Sequence, residues 1–441
     1  MSSLFKKFLF DSNINKLDKF SIFKIYLFMS LGVIILSFLY CNIFISRFDL
    51  VDSNNNIVFE KMMFEYGLLT QNFYNDWNYS FLDSEGVLYH LKRLPFFPIL
   101  IALIAKISKN IFFIFIFKSL IFFSILFVSI LITSKALNLN LTFFFLFFLP
   151  FLIPYNLHVI LNIAFADSII AVLLPSIFIL LFADQKKKYF LISVLLFLIY
   201  LTKNSVVFLT MLLPFIIILL EKDKLKFRSL PLIAVIFAII SWGSFGVIKT
   251  GKFPFGSSIL TSNAKTLNEV VLNKEFKKYY PKKSVDLIPK KPMPNYLKEE
   301  WKIQEYFSLK NKEYLNKNFK EYFFDIPIKI KFIFFNIHKD SVHPKDGKFE
   351  NPIIFSHIIN RIFFNISILT AFYLLFFKDK KFQLNYFVKK KHDIYFLSIV
   401  GLALMPNIIG WATSKHLVSL QIISMFYILL KFNYKFSKIN I

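Results

Sequence analysis

The stretch FKIYLFMSLGVIILSFLYCNIFI, residues 23–45, decides the fold. It runs for 23 residues and carries one charge, Lys24. A helix of that length is about 35 Å long, enough to cross the roughly 30 Å hydrocarbon core of a bilayer. Similar apolar runs recur at 95–108, 111–134, 141–156, 161–183, 189–202, 204–220, 229–249, 355–377, 393–411 and 414–431. Lipid offers no hydrogen bonds to irregular backbone, so the spans are expected to be helices. The reading is an all-α polytopic membrane protein with about 10–11 transmembrane helices. It carries a membrane-surface helical first external loop and a second extracytoplasmic segment. The chain divides into a cytoplasmic N-terminus (1–22), a transmembrane bundle (23–249) that includes the external loop 46–94, an extracytoplasmic segment (250–352), and C-terminal transmembrane helices with a cytoplasmic tail (353–441).

Composition agrees. The chain has 441 residues, 56% of them hydrophobic, with 61 Phe and 20 Tyr. A formal charge of +26 suggests nucleic acid at first. The distribution argues otherwise, because lysines cluster between apolar runs, at 186–188, 221–228, 378–381 and 389–391. Short Lys-rich connections mark a cytoplasmic face. Phe, Ile, Lys and Asn are abundant while Arg occurs only four times, a pattern that genome bias alone produces, so the total Phe and Lys counts carry little functional weight. The single cysteine, Cys41, lies within the first run and reads as packing. That run has no small-residue cleavage site after it and reads as an uncleaved signal anchor.

Sidedness comes from counting. A cytoplasmic N-terminus puts 46–94 outside, the Lys-rich loops at 184–188 and 221–228 inside, and Thr202, Lys203 and Asn204 at an outer helix end. The segment 250–352 then lies outside, Lys415 and His416 sit at an outer helix end, and the C-terminus is inside. One stretch breaks the count. Four apolar runs lie between residues 94 and 184, yet an odd number of crossings is needed. The shortest, 95–108, is about 21 Å as a helix, so either it does not cross fully or a later run is re-entrant.

This topology gathers Asp49, Asp52, Arg93, His158, Asp167, Lys203, Lys415 and His416 at one face. Ionisable groups at membrane depth are costly and usually face a cavity or one another. The segment 250–352 holds 20 Lys against 12 Asp or Glu, a net of 20 − 12 = +8. Its stretch LNKNFKEYFFDIPIKIKFIFFNI reads either as basic, aromatic helices on the membrane surface or as a small loop domain with ordinary surface charge. No H-E-x-x-H or Cys/His pair points to zinc, and no Walker A loop or dinucleotide glycine fingerprint points to a bound nucleotide. No cofactor is expected. A divalent cation shared by Asp49, Asp52 and Asp167 stays open, although spacing does not favour it. Trp77 and Tyr79 read as interfacial anchors, with stacking on a sugar as the sharper alternative.

The first loop carries a more specific pattern. Asp52-Ser53 opens it, Gly67 follows fifteen residues after Asp52, and Arg93-Leu94-Pro95-Phe96-Phe97-Pro98 begins the next apolar run. This resembles the GT-C superfamily of membrane glycosyltransferases. More narrowly, it resembles the bacterial relatives of protein O-mannosyltransferases and of aminoarabinose lipid A transferases, in glycosyltransferase family 39. Leu94 stands where that family has Pro, and Phe97 where it has Tyr. Looser matches come in order along the chain: Ala166-Asp167-Ser168 after Pro154, with Asp for Glu; Leu201-Thr202-Lys203-Asn204, with Lys for Arg and no Pro; and Lys415-His416-Leu417, also without the Pro.

The resemblance implies a lipid-phosphate-sugar-dependent glycosyltransferase of the cytoplasmic (inner) membrane, working at its extracytoplasmic face. The donor would be a polyprenyl-phosphate sugar. The acceptor would be lipid A, a polysaccharide, a protein or another lipid. Asp52 would be the general base, with Asp49 as its rival. Lys92, Arg93, Lys203, Lys415 and His416 would face the departing phosphate, Asp167 would contribute to substrate binding, and the outcome would be inversion. Membrane lipids are the other expected partners, and nucleic acid is not expected. Competing classes are an envelope polysaccharide polymerase, ligase or flippase, and a transporter. A transporter would show internal repeats and broken midplane helices, and the sequence shows no repeat.

Overall fold

A computed structural model describes residues 13–44, 59, 64–82, 86–162, 166–257, 299–324, 326, 327, 330, 334, 350–376, 391–409 and 417–439. Its helices are α1 (Lys19–Phe44), α2 (Phe64–Asp76), α3 (Phe96–Ile107), α4 (Ile111–Ala136), α5 (Leu141–Leu146), α6 (Leu149–Leu152), α7 (Pro154–Leu161), α8 (Asp167–Leu180), α9 (Lys187–Tyr200), α10 (Val207–Leu220), α11 (Leu225–Arg228), α12 (Leu230–Thr250), α13 (Glu300–Phe324), α14 (Glu350–Phe376), α15 (Lys391–Ile409) and α16 (Val418–Ile439). A two-residue hairpin, β1 (Phe81–Leu82) against β2 (Leu88–Tyr89), pairs Phe81 with Tyr89. The chain is an all-α membrane protein in its described part, with that one small exception.

Among the described residues, four helical stretches are long and apolar enough to cross a bilayer: Lys19–Asn42, Ile111–Ala136, Leu225–Thr250 and Ile358–Leu375. A fifth forms if α5–α6 and α7, bent by 76°, count as one span. The expected eleven runs are therefore not eleven long helices. Helices α8 and α10 are each 14 residues long, and a break before Pro154 divides the apolar sequence there into shorter pieces.

Local sequence sets the helix ends. Asn110 Oδ1 accepts the Phe112 N–H at 2.9 Å, and Asn140 Oδ1 accepts the Phe143 N–H at 2.9 Å, which are N-caps of α4 and α5. Gly251, in the left-handed region at φ 72°, closes α12.

The core is built around α8, all fourteen of whose residues are buried. A helix that is apolar on every side belongs in the middle of a bundle. Helix α1 lies at the rim, with 11% of its apolar window buried. Its packing on α4 sets the direction of the bundle. Tyr26 meets Ser124 (Oη···Oγ 2.8 Å) and Phe127 (5.2 Å), Phe38 meets Phe112 (5.6 Å), and Tyr40 meets Phe115 (5.9 Å). The Ile14 N–H reaches the Leu139 carbonyl at 3.1 Å. The two helices are antiparallel, so Phe44 lies at the same end as Ile111, and Lys19 at the same end as Ala136.

These two ends, the Phe44 end and the Lys19 end, organise the rest. Thr133 Oγ1 donates to the Ile179 carbonyl at 2.9 Å, which puts the last turn of α8 at the Lys19 end and Asp167 at the Phe44 end. Lys203 pairs with Asp167, so α9 ends at the Phe44 end. The Phe96 N–H donates to the Leu201 carbonyl at 2.9 Å, so α3 also begins there. It finishes there as well. Lys106, in its last turn, lies 4.5 Å from the Trp77 ring and 5.3 Å from the Tyr74 ring, both at the end of α2, and Ile111 comes soon after. Helix α3 therefore starts and stops on one side of the bundle.

Candidate functional site

The polar side chains of the Phe44 end form two linked ion pairs. The first centres on Glu65, in the opening turn of α2. Lys92 Nζ lies 2.8 Å from Glu65 Oε1. Arg93 Nε donates to Glu65 Oε2 at 2.6 Å, and its Nη2 also pairs with that oxygen. Aromatic rings steady both cations. Lys92 sits 4.0 Å from the Tyr89 ring, and the Arg93 guanidinium 5.2 Å from Tyr66. Tyr79 Oη donates to the Arg93 carbonyl at 3.0 Å. The strand before Lys92 is held by Glu300 of α13, which accepts the His90 N–H at 2.9 Å and the Leu91 N–H at 3.0 Å.

The second pair joins Lys203, after α9, to Asp167, the first residue of α8. Both side chains are largely buried, 15% and 7% exposed. The next residue, Asn204, accepts the Ser257 N–H at 2.9 Å and so ties the end of α9 to the chain beyond α12. Tyr66 connects the two pairs. Burial pushes its hydroxyl up to about 12, Arg93 counteracts, and the charges of Asp167 and Glu65 add to the rise.

The electrostatics of Glu65 assign its chemistry. Burial alone would raise its carboxyl, but Arg93 and then Lys92 outweigh that and hold it at about 2. A carboxylate so acidic is a poor proton acceptor at neutral pH, and its role is to aim two cations. Among the described ion pairs, Lys92, Arg93 and Lys203 meet Glu65 and Asp167, with the Glu300 carboxylate on the His90 and Leu91 N–H groups beside them. Arg93 retains 26% side-chain exposure, so part of its fork faces outward. A planar guanidinium at the edge of such a cluster suits a phosphate.

Of the expected site residues, Lys92, Arg93, Asp167 and Lys203 are brought to this one end. Asp49, Asp52, Lys415 and His416 lie outside the described residues. Glu65 went unnoticed in the sequence, where nothing marks a lone glutamate 28 positions before Arg93 as its partner. Tyr79 departs from its expected role as an interfacial anchor. It is buried, with its ring 6.1 Å from Trp242 and 6.2 Å from Phe245, because the Arg93 carbonyl satisfies its hydroxyl inside the fold. Trp77 is exposed. Cys41 is buried, and His158 meets Tyr40 Oη through Nδ1 at 3.3 Å. Among the described residues no group of three His, Cys, Asp or Glu side chains could hold a metal ion. No family profile, curated protein or solved structure matches this chain.

Proposed function

We propose that this chain is an integral membrane glycosyltransferase that moves a sugar from a polyprenyl-phosphate donor to an acceptor hydroxyl at the extracytoplasmic face of the inner membrane. The observation that carries the reading is the clustering of Lys92, Arg93 and Lys203 with Glu65 and Asp167 at one end of the bundle. It is the end at which α1 hands the chain to the loop bearing Asp49 and Asp52.

In the reaction, Asp52 takes the proton of the acceptor hydroxyl while its oxygen bonds to the anomeric carbon. The bond from that carbon to the phosphate oxygen breaks, and the lipid phosphate leaves with the electron pair, with inversion. Lys92, Arg93 and Lys203 hold the developing negative charge, and such preorganised charge is often the largest catalytic contribution. Lys415 and His416 join that set, and Asp167 orients Lys203.

The topology of this reading has ten crossings: α1, α4, α5–α7, α8, α9, α10, α11–α12, α14, α15 and α16. With α3 starting and stopping at the Phe44 end, three crossings (α4, α5–α7, α8) separate residue 94 from residue 184, the odd number that the Lys-rich loops require. The Phe44 end is then the outer one.

The test is transfer of radiolabelled sugar from a polyprenyl-phosphate donor by purified protein in lipid nanodiscs. Wild-type protein is expected to turn over, and Asp52→Asn to lose about 10²–10⁴-fold in kcat with normal insertion. Undiminished turnover in Asp52→Asn removes that residue from the mechanism. A wild-type protein inert towards every polyprenyl-phosphate sugar removes the reading.

A further inference from the structure

Lys118 is the one charged residue in the middle of α4, at membrane depth, and it is 1% exposed. No carboxylate meets it in the described structure. Its ammonium instead donates to three consecutive carbonyls, Ile160 (2.9 Å), Leu161 (3.2 Å) and Asn162 (2.6 Å). These use all three of its N–H groups.

The three carbonyls close α7, where a helix leaves its last C=O groups without intrahelical partners and carries the negative end of its dipole. An ammonium fits both needs. The alternative for those carbonyls is hydrocarbon. An apolar cavity of about 320 Å³ borders the spot, lined by Met29, Phe122, Leu157 and Val172 along with Lys118 itself. Unsatisfied carbonyls in such surroundings cost several kcal/mol each.

The chain beyond α7 gives the contact its meaning. Asp167, which pairs with Lys203, stands five residues past Asn162 and opens α8. The other end of α8 is fastened to the same helix, through Thr133 Oγ1 and the Ile179 carbonyl. Helix α4 thus grips the chain ahead of α8 with Lys118 and the last turn of α8 with Thr133.

We infer that Lys118 is a positioning residue: by capping α7 from α4 it sets where α8 begins, and so places Asp167 against Lys203 in the proposed donor site. The inference rests on the glycosyltransferase reading for its consequence in transfer, but not for its structural half.

The experiment has two arms. In the first, hydrogen exchange of the full-length protein in nanodiscs is measured for Lys118→Met, Lys118→Arg and Thr133→Val. Exchange over 157–171 is expected to rise about tenfold in Lys118→Met and to return towards wild type in Lys118→Arg. In Thr133→Val it should rise only near residue 179. Should Lys118→Met fail to insert, Lys118→Gln, which keeps two donors, replaces it with the same expected direction. Wild-type exchange over 157–171 in the variant used overturns the inference, whatever the chain's activity. The second arm is a double-mutant cycle on the donor KM. Lys118→Met should raise KM and add nothing on top of Asp167→Asn. Full additivity shows that Lys118 acts without Asp167 and overturns the positioning role. Loss of the glycosyltransferase reading is seen separately, as an inert wild-type protein.

Discussion

The two ends of the bundle use the same residue types to opposite effect. At the Lys19 end, Lys188 lies 3.0 Å and Lys391 3.1 Å from Glu221, while Tyr395 Oη donates to the same carboxylate at 3.1 Å. Tyr427 and Lys431 both reach Asp393, at 2.8 Å and 2.7 Å, and Tyr189 Oη reaches Asp223 at 2.7 Å. In the described ion pairs three lysines meet two carboxylates, Glu221 and Asp393, and tyrosine hydroxyls reach those two and Asp223. The Lys188 side chain is 0% exposed and that of Glu221 2%. At the Phe44 end Glu65 is 17% exposed and its partner Arg93 26%. The Lys188–Glu221 pair is sealed and joins α9 to the end of α10, and Lys391, 31% exposed, ties α15 to it from the rim. The Glu65–Arg93 pair is open at its edge. A sealed pair is what a joint between helices needs, and a partly exposed guanidinium is what an anionic ligand needs.

The contrast is open to mutation. The largest expected effect is on the closed side. Glu221→Ala leaves Lys188 buried without its carboxylate, a change expected to cost ~4 kcal/mol. Thermal unfolding monitored by size-exclusion fluorescence should show a large drop in Tm, and an unchanged Tm would mean that the cluster does not join the helices.

The next effect is in pH. Glu65 is held at about 2 against an ordinary 4.5. Its folded carboxyl is depressed, so its stabilisation is complete above pH 4.5 and fades as pH falls towards 2. The full size is about 3 kcal/mol. Glu65→Gln should be less stable than wild type at pH 6, and the gap should narrow between pH 4.5 and pH 2. A gap that stays constant over that range would dissociate Glu65 from Arg93 and Lys92.

The smallest effect sharpens the open side. Arg93→Ala should raise the donor KM about tenfold, the worth of one charge-assisted hydrogen bond, together with a drop in Tm from the loss of Glu65's main partner. A lowered Tm with an unchanged donor KM would make Arg93 a joint like Lys188.

The sequence showed the helices well and their roles unevenly. The run at 111–134 became α4 almost residue for residue, because hydropathy alone decides where a span lies. The run at 141–156 did not reveal that α5–α6 and α7 meet at 76°, since the bend depends on Pro154 and on Asn156 donating to the Pro150 carbonyl at 2.8 Å. The Asp167–Lys203 pair was legible, because both residues fell at outer helix ends once sidedness was counted. Glu65 was not. Its partners lie a hairpin away, and no periodicity reports a contact of that separation. Lys118 drew no notice in the sequence, because carbonyls as partners leave no trace in side-chain sequence.

The buried position of Asp167 also bears on how the protein is made. In the proposed topology, helix α8 enters the bilayer carrying an acid whose cation lies 36 residues further along the chain. At roughly 5–20 residues per second, the ribosome supplies Lys203 about 2–7 s later. During that interval Asp167 has no counter-charge from α9, and lipid is a poor place for it to wait. Helices α8 and α9 should therefore leave the insertion machinery as a pair, their charges already joined.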